Sequence, residues 1–319
     1  MPTIHLGRFK PVTADRLTPE YIKSLDLSGV EEPHIRDIIR DIIGNKAFKD
    51  AVNFPSKAVL ECDRNRVIKI ANTLASEIRP LTALYNPGII GVISYMAELL
   101  VPTDNYGLAL AISRAWVVAV CLDDYCETSR TRWLEFLDHF ANPNSESPIA
   151  KYMHFAIDAV KPFSSQSFVN VWKQALHKGL LGGFLECEVA MVYPQGGCRS
   201  SKYFRQMSGY ADFWGLTLSL LHPELSFPEN PKVWTDILSD ISTFLCDYND
   251  AMSVYKEAKD GAEFVKNVIY QEGYKEAFPT AVNNALSSAE YILNVVPPAT
   301  RDIFERFLRG YGYFHIYSR

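Results

Sequence analysis

Strand signals are scarce in this chain. Apolar and polar residues rarely alternate, and no Asn-Gly or Asp-Gly turn lies between two apolar runs, which argues against a sandwich or barrel of short hairpins. Basic runs are missing as well. The net charge is −5 and no cluster of Lys and Arg stands out, so no nucleic-acid partner is expected. The six cysteines, at 62, 121, 126, 187, 198 and 246, show no paired spacing. They fit neither a disulfide framework nor a zinc site and read as reduced thiols. Long hydrophobic runs are absent too: the most apolar stretch, LALAISRAWVVAVCL at 108–122, is short for a bilayer and contains Arg114. The N-terminus, MPTIHLGRFKPV, lacks the charged-then-apolar pattern of a secretory signal. Neither a low-complexity linker nor a repeat of roughly 30–45 residues divides the sequence. These absences predict a cytoplasmic protein with no transmembrane segment.

What is present is helical periodicity along nearly the whole length. Hydrophobic residues make up 48% of the 319, enough for one large core. The pattern predicts helices near 33–43, 64–78, 88–100, 106–128, 130–140, 149–160, 166–192, 200–221, 231–258, 261–271, 274–295 and 299–317. Pro and Gly mark the breaks, at Pro80, Pro87, Pro102, Pro143, Pro162, Gly196-Gly197, Pro223, Pro228 and Pro297-Pro298. Pro231 suits the first turn of a helix. Residues 1–30 read as an irregular outer segment and 31–319 as a single all-α domain.

Two of these helices share a design. In YNDAMSVYKE (248–257), four-residue steps put the amide of Asn249, the hydroxyl of Ser253 and the carboxylate of Glu257 on one face, with Lys256 beside the last. The same face runs back through Leu245, Ile241 and Leu238. The helix over 106–128 repeats the plan: Ile112, Trp116 and Ala119 lead to Asp123 and Glu127. Facing one another, the two would enclose an apolar pocket rimmed by oxygen atoms. Carboxylate, amide and hydroxyl oxygens are hard donors suited to Mg²⁺, and helix C-termini favour cations. Such a site fits a substrate with a polyphosphate head and a hydrocarbon tail.

DDYCE (123–127) together with NDAMSVYKE (249–257) resembles the two metal motifs of class I terpene cyclases. With FVKN (264–267) following, the wording is most like the fungal trichodiene synthase group, from about residue 105 to the C-terminus. The resemblance implies a helical bundle around a central apolar cavity and three Mg²⁺ ions on a prenyl diphosphate. Asp123 would bind two of the ions; Asn249, Ser253 and Glu257 would hold the third, with Asp124 and Glu127 assisting. Arg205, in KYFRQMSG, lies 44 residues before Asn249, where the family places a diphosphate-binding arginine, and a guanidinium fork suits that anion. Lys256 would touch the same phosphates. Gly209 would break its helix and free carbonyls toward the cavity. Trp116, Phe184 and Tyr95 are candidate walls, with Phe213 and Trp214 as further ones. The C-terminal GYGYFHIYSR corresponds to the family's last catalytic stretch, which carries Asp-Arg-Arg-Tyr. Ser318 stands at the aspartate and Arg319 at the first arginine, which places Arg319 on the diphosphate; the closing Arg-Tyr pair has no counterpart here.

The leading expectation is thus a Mg²⁺-dependent sesquiterpene cyclase acting on farnesyl diphosphate, by resemblance a homodimer. A diterpene cyclase using geranylgeranyl diphosphate, a prenyl chain-elongating synthase and a non-catalytic binder of prenyl diphosphates are the other readings. Elongases usually carry aspartate-rich motifs on both helices, whereas the second motif here is Asn/Ser/Glu.

Overall fold

Short polar side chains start several helices. Asn45, Asp63, Asn86, Ser129 and Ser147 each accept a hydrogen bond from a backbone N–H in the first turn that follows, satisfying donors that a helix start leaves orphaned. Pro87 and Pro148 come next after two of these caps, where a missing N–H costs nothing. The computed structural model describes residues 19–23, 33–57, 62–126, 129–142, 144–192, 201–257, 269 and 273–317.

In chain order these residues form α1 (Pro19–Lys23), α2 (Pro33–Gly44), α3 (Lys46–Asn53), α4 (Arg64–Ile78), α5 (Pro87–Leu100), α6 (Tyr106–Cys126) and α7 (Arg130–Ala141). Then follow α8 (Pro148–Asp158), α9 (Gln166–Val192), α10 (Ser201–Ser208), α11 (Ala211–Leu216), α12 (Pro231–Glu257), α13 (Tyr274–Val295) and α14 (Arg301–Tyr317). No strand occurs among the described residues, and the chain is an all-α helical bundle around one hydrophobic core. In that bundle α5 packs against α4, α6 and α14, α12 against α11 and α13, and α9 against α10 and α11. Trp116, Trp133, Trp172, Tyr248 and Phe213 are among its fully buried side chains, each stabilising the fold by roughly 1.5–3 kcal/mol.

Helix α6 extends the apolar stretch at both ends to 21 residues, long and apolar enough by composition to cross a bilayer, yet 67% of its apolar window is buried inside the protein. Its Arg114 is neutralised by Glu77 through two hydrogen bonds of 2.7 and 3.0 Å. Tyr152 donates to the same carboxylate at 2.9 Å. That network lets a charged residue sit in a core helix.

The structure departs from the sequence reading in three places, the first being helix α1, Pro19–Lys23, inside the segment expected to be irregular. Helix α3 was not expected. The helix expected over 200–221 is split, because Tyr210 takes a left-handed conformation with φ 51° and ψ 24° and separates α10 from α11. Helical periodicity runs on across such a break, so it does not reveal one. The helix expected over 261–271 lies outside the described residues apart from Ile269. So do Pro143, Gly196-Gly197 and, α1 excepted, all of segment 1–30.

Candidate functional site

The α6 and α12 ends meet across one cavity of about 690 Å³. Helix α6 supplies Val120, Asp123 and Asp124, and α12 supplies Leu245, Cys246, Asn249 and Glu257. The α5 side is apolar, with Ile89, Val92, Ile93 and Met96, while α14 adds Tyr311, Phe314 and His315. Arg205, Ser208, Gly209, Tyr210 and Trp214 close the circle from α10, its turn and α11.

Hydrogen bonds link the two acidic ends through this last group. Tyr210 donates its hydroxyl to Asp123 Oδ1 at 3.3 Å. Arg205 donates to Asn249 Oδ1 at 2.6 Å and to Asp250 Oδ1 at 2.7 Å. Asn249 in turn donates to Tyr311 Oη at 3.4 Å. At the mouth Asn86, the cap of α5, donates to Asp124 Oδ2 at 3.5 Å.

Burial pushes the Asp250 carboxyl up to about 7 despite the pull of Arg205, and the charges of Glu257 and Glu186 add to the rise. Burial also opposes the charge on Arg205, but Asp250, Glu186, Cys246 and Glu257 hold it protonated, well above its ordinary value. The Arg205 guanidinium thus sits among several carboxylates. The Tyr210 phenol is raised far above its usual range by burial and by Asp123, so its O–H remains a donor. Cys246 is pushed up to about 12 by burial, and no disulfide joins the described cysteines.

Of the residues singled out from sequence, Asp123, Asp124, Arg205, Gly209, Asn249 and Glu257 line the cavity together. Ser253 is buried just behind, donating to the Asn249 carbonyl at 2.6 Å and to Asn249 Oδ1 at 3.2 Å. Gly209 does end its helix, but its carbonyl is not freed toward the cavity: it accepts the Trp214 indole N–H at 3.0 Å. Trp116 does not reach the pocket either. It sits in the core, donates to Thr217 Oγ1 at 3.2 Å, and meets Trp214 edge-on with ring centroids 4.6 Å apart. Trp214 therefore forms the wall and Trp116 backs it. Phe213 stacks on Trp172 at 4.6 Å, while Tyr95 and Phe184 pack on the core rather than among the lining residues. Glu127, Arg319 and the side chain of Lys256 lie outside the described residues.

Tyr210, Asp250, Glu186, Asn86, Tyr311 and His315 were missed. Only Asp250 had a local signal, being next to Asn249. Among the described residues no group of three or more His, Cys, Asp or Glu side chains gathers as a metal site. The α12 set instead combines one amide, one hydroxyl and one carboxylate, all hard oxygen donors that fit Mg²⁺.

No protein-family model matches the sequence, and no curated protein does. Seventeen chains of solved structures are similar to it. One is the crystal structure of a mutant SVS_A2 protein from ancestral sequence reconstruction, with a TM-score of 0.58 and 14% identity. That match covers 81% of this chain and 87% of the other. Similarity at this level establishes a shared fold and leaves the chemistry to the residues of the site.

Proposed function

We propose that the chain is a Mg²⁺-dependent class I terpene cyclase that ionises farnesyl diphosphate and cyclises the resulting carbocation. The observation that carries this reading is the convergence of Asp123 and Asp124 with Asn249 and Glu257 on one cavity whose opposite wall is apolar. Asp123, Asn249, Ser253 and Glu257 would hold the metal, with Asp124 and Glu127 assisting; three ions is the number the family resemblance implies. When bound, Mg²⁺ offsets the negative charge that builds on the diphosphate as the C–O bond breaks.

The chain's own residues do the rest. Arg205 grips the diphosphate, its fork already aligned by Asn249 and Asp250. Val92, Ile93 and Met96 exclude water from the hydrocarbon and fold it, while Trp214 and Phe314 offer π faces to the moving positive charge.

The test is incubation with geranyl, farnesyl and geranylgeranyl diphosphate in turn, with Mg²⁺, followed by headspace mass spectrometry. A volatile sesquiterpene from farnesyl diphosphate alone, abolished by chelation and in the Asp123→Asn/Asn249→Leu double variant, is the expected result. Diphosphate release that survives in the double variant defeats the site assignment. Turnover only when isopentenyl diphosphate is added points to an elongase instead.

A further inference from the structure

Tyr210 has no part in the reading above, yet it stands where the two halves of the site join. Its backbone is left-handed, a region that side chains with a Cβ enter at a cost, and it is buried. Helix α9 leaves a notch for the ring: a Cβ on Gly179 would lie 2.2 Å from Tyr210 Cδ1. One turn further along, a Cβ on Gly183 would lie 3.2 Å from Asp123 Oδ1 and 2.7 Å from the Trp133 ring. The small-residue face of α9 thus makes room for both partners of the Tyr210–Asp123 bond.

The turn that carries Tyr210 is also tied back to the arginine. Gly209 N–H donates to the Arg205 carbonyl at 2.9 Å, and the Gly209 carbonyl accepts from Trp214. Displacing the ring therefore disturbs the end of the helix that holds Arg205.

We propose that Tyr210 is a positioning residue: its hydroxyl fixes the orientation of the Asp123 carboxylate for cation binding and joins that carboxylate to the helix bearing Arg205. The proposal rests on the metal-binding reading of Asp123. A carboxylate ligand whose supporting hydrogen bond is removed characteristically loses about 10- to 100-fold in metal affinity.

The experiment is calorimetric titration of inorganic diphosphate into the full chain, with and without Mg²⁺, so that it reads binding rather than turnover. Tyr210→Phe keeps the ring in its notch and removes the hydroxyl. It is expected to weaken the Mg²⁺-dependent binding about tenfold, to leave Mg²⁺-free binding unchanged, and to keep the melting temperature. In the Asp123→Asn background the same change should have no further effect, since the bond's acceptor is already altered. Gly179→Ala, which pushes the ring out and keeps the hydroxyl, should reproduce the loss. Unchanged Mg²⁺ dependence in Tyr210→Phe, or an equal loss with and without Asp123, overturns the proposal while leaving the metal reading intact. Wild-type binding that ignores Mg²⁺ altogether overturns both.

Discussion

Arg205 and Asp250 form a largely buried ion pair whose contribution to stability depends on pH. The Asp250 carboxyl rises to about 7 in the fold, against an ordinary value of about 3.9. Over that interval the folded state holds a proton the unfolded state has released, so stability falls as pH rises from about 4 to about 7. Asp250→Asn should flatten this part of the curve, measured as wild-type minus variant unfolding free energy in the presence of a chelator. Arg205→Met is expected to cost about 3 kcal/mol above neutral pH, where Asp250 is ionised and would be left buried without its cation. Denaturant titration should find the loss smaller under mildly acidic conditions, where Asp250 takes up a proton. Combining Arg205→Met with Asp250→Asn should restore most of the stability but not diphosphate binding. Residues such as Asn249 and Glu257 were legible because four-residue spacing on a helix is local information. Tyr210 and Glu186 were not, since their importance arises only when α9, α10 and α6 come together. Trp116 falls behind Trp214, itself a further wall candidate, for the same reason: spacing assigns a helix face, but not the neighbour that covers it.

Among the elements, the long helices α9, α12 and α13 coincide with their expected spans because each is periodic over many turns. The α10–α11 break was signalled by Gly209 alone, since the left-handed tyrosine beside it has no sequence signature of its own. What seats α10 against α9 is Gly182: a Cβ there would lie 2.3 Å from the Ser208 backbone nitrogen and 2.7 Å from the Met207 carbonyl carbon. Those are main-chain atoms that move only with the helix. Gly182→Ala should therefore lower stability by about 1–3 kcal/mol and displace Arg205 from the cavity. Paired measurements of the melting curve and of diphosphate affinity check this. Loss of stability with unchanged affinity would show that Arg205 tolerates movement of its helix.

For the molecule as a whole, the lack of strand signals and the dominance of helical periodicity were enough for the fold class. The arrangement of helices around the cavity was not legible, because α5 and α14 meet only through contacts between residues about 200 positions apart, such as Arg306 donating to the Leu99 carbonyl at 3.1 Å. A cavity assembled from such distant segments exists only in the folded chain, so a ligand that occupies it must shift the unfolding equilibrium. Mg²⁺ and inorganic diphosphate together, at about 100 times their dissociation constant, should add about 2.7 kcal/mol, or about 4 °C in melting temperature for a chain of this size. Diphosphate given with a chelator should produce much less, because the carboxylates proposed to hold Mg²⁺ would then face the anion without it. Differential scanning fluorimetry separates the cases. An equal shift with and without Mg²⁺ would assign the anion to Arg205 alone and remove the metal from the binding reaction.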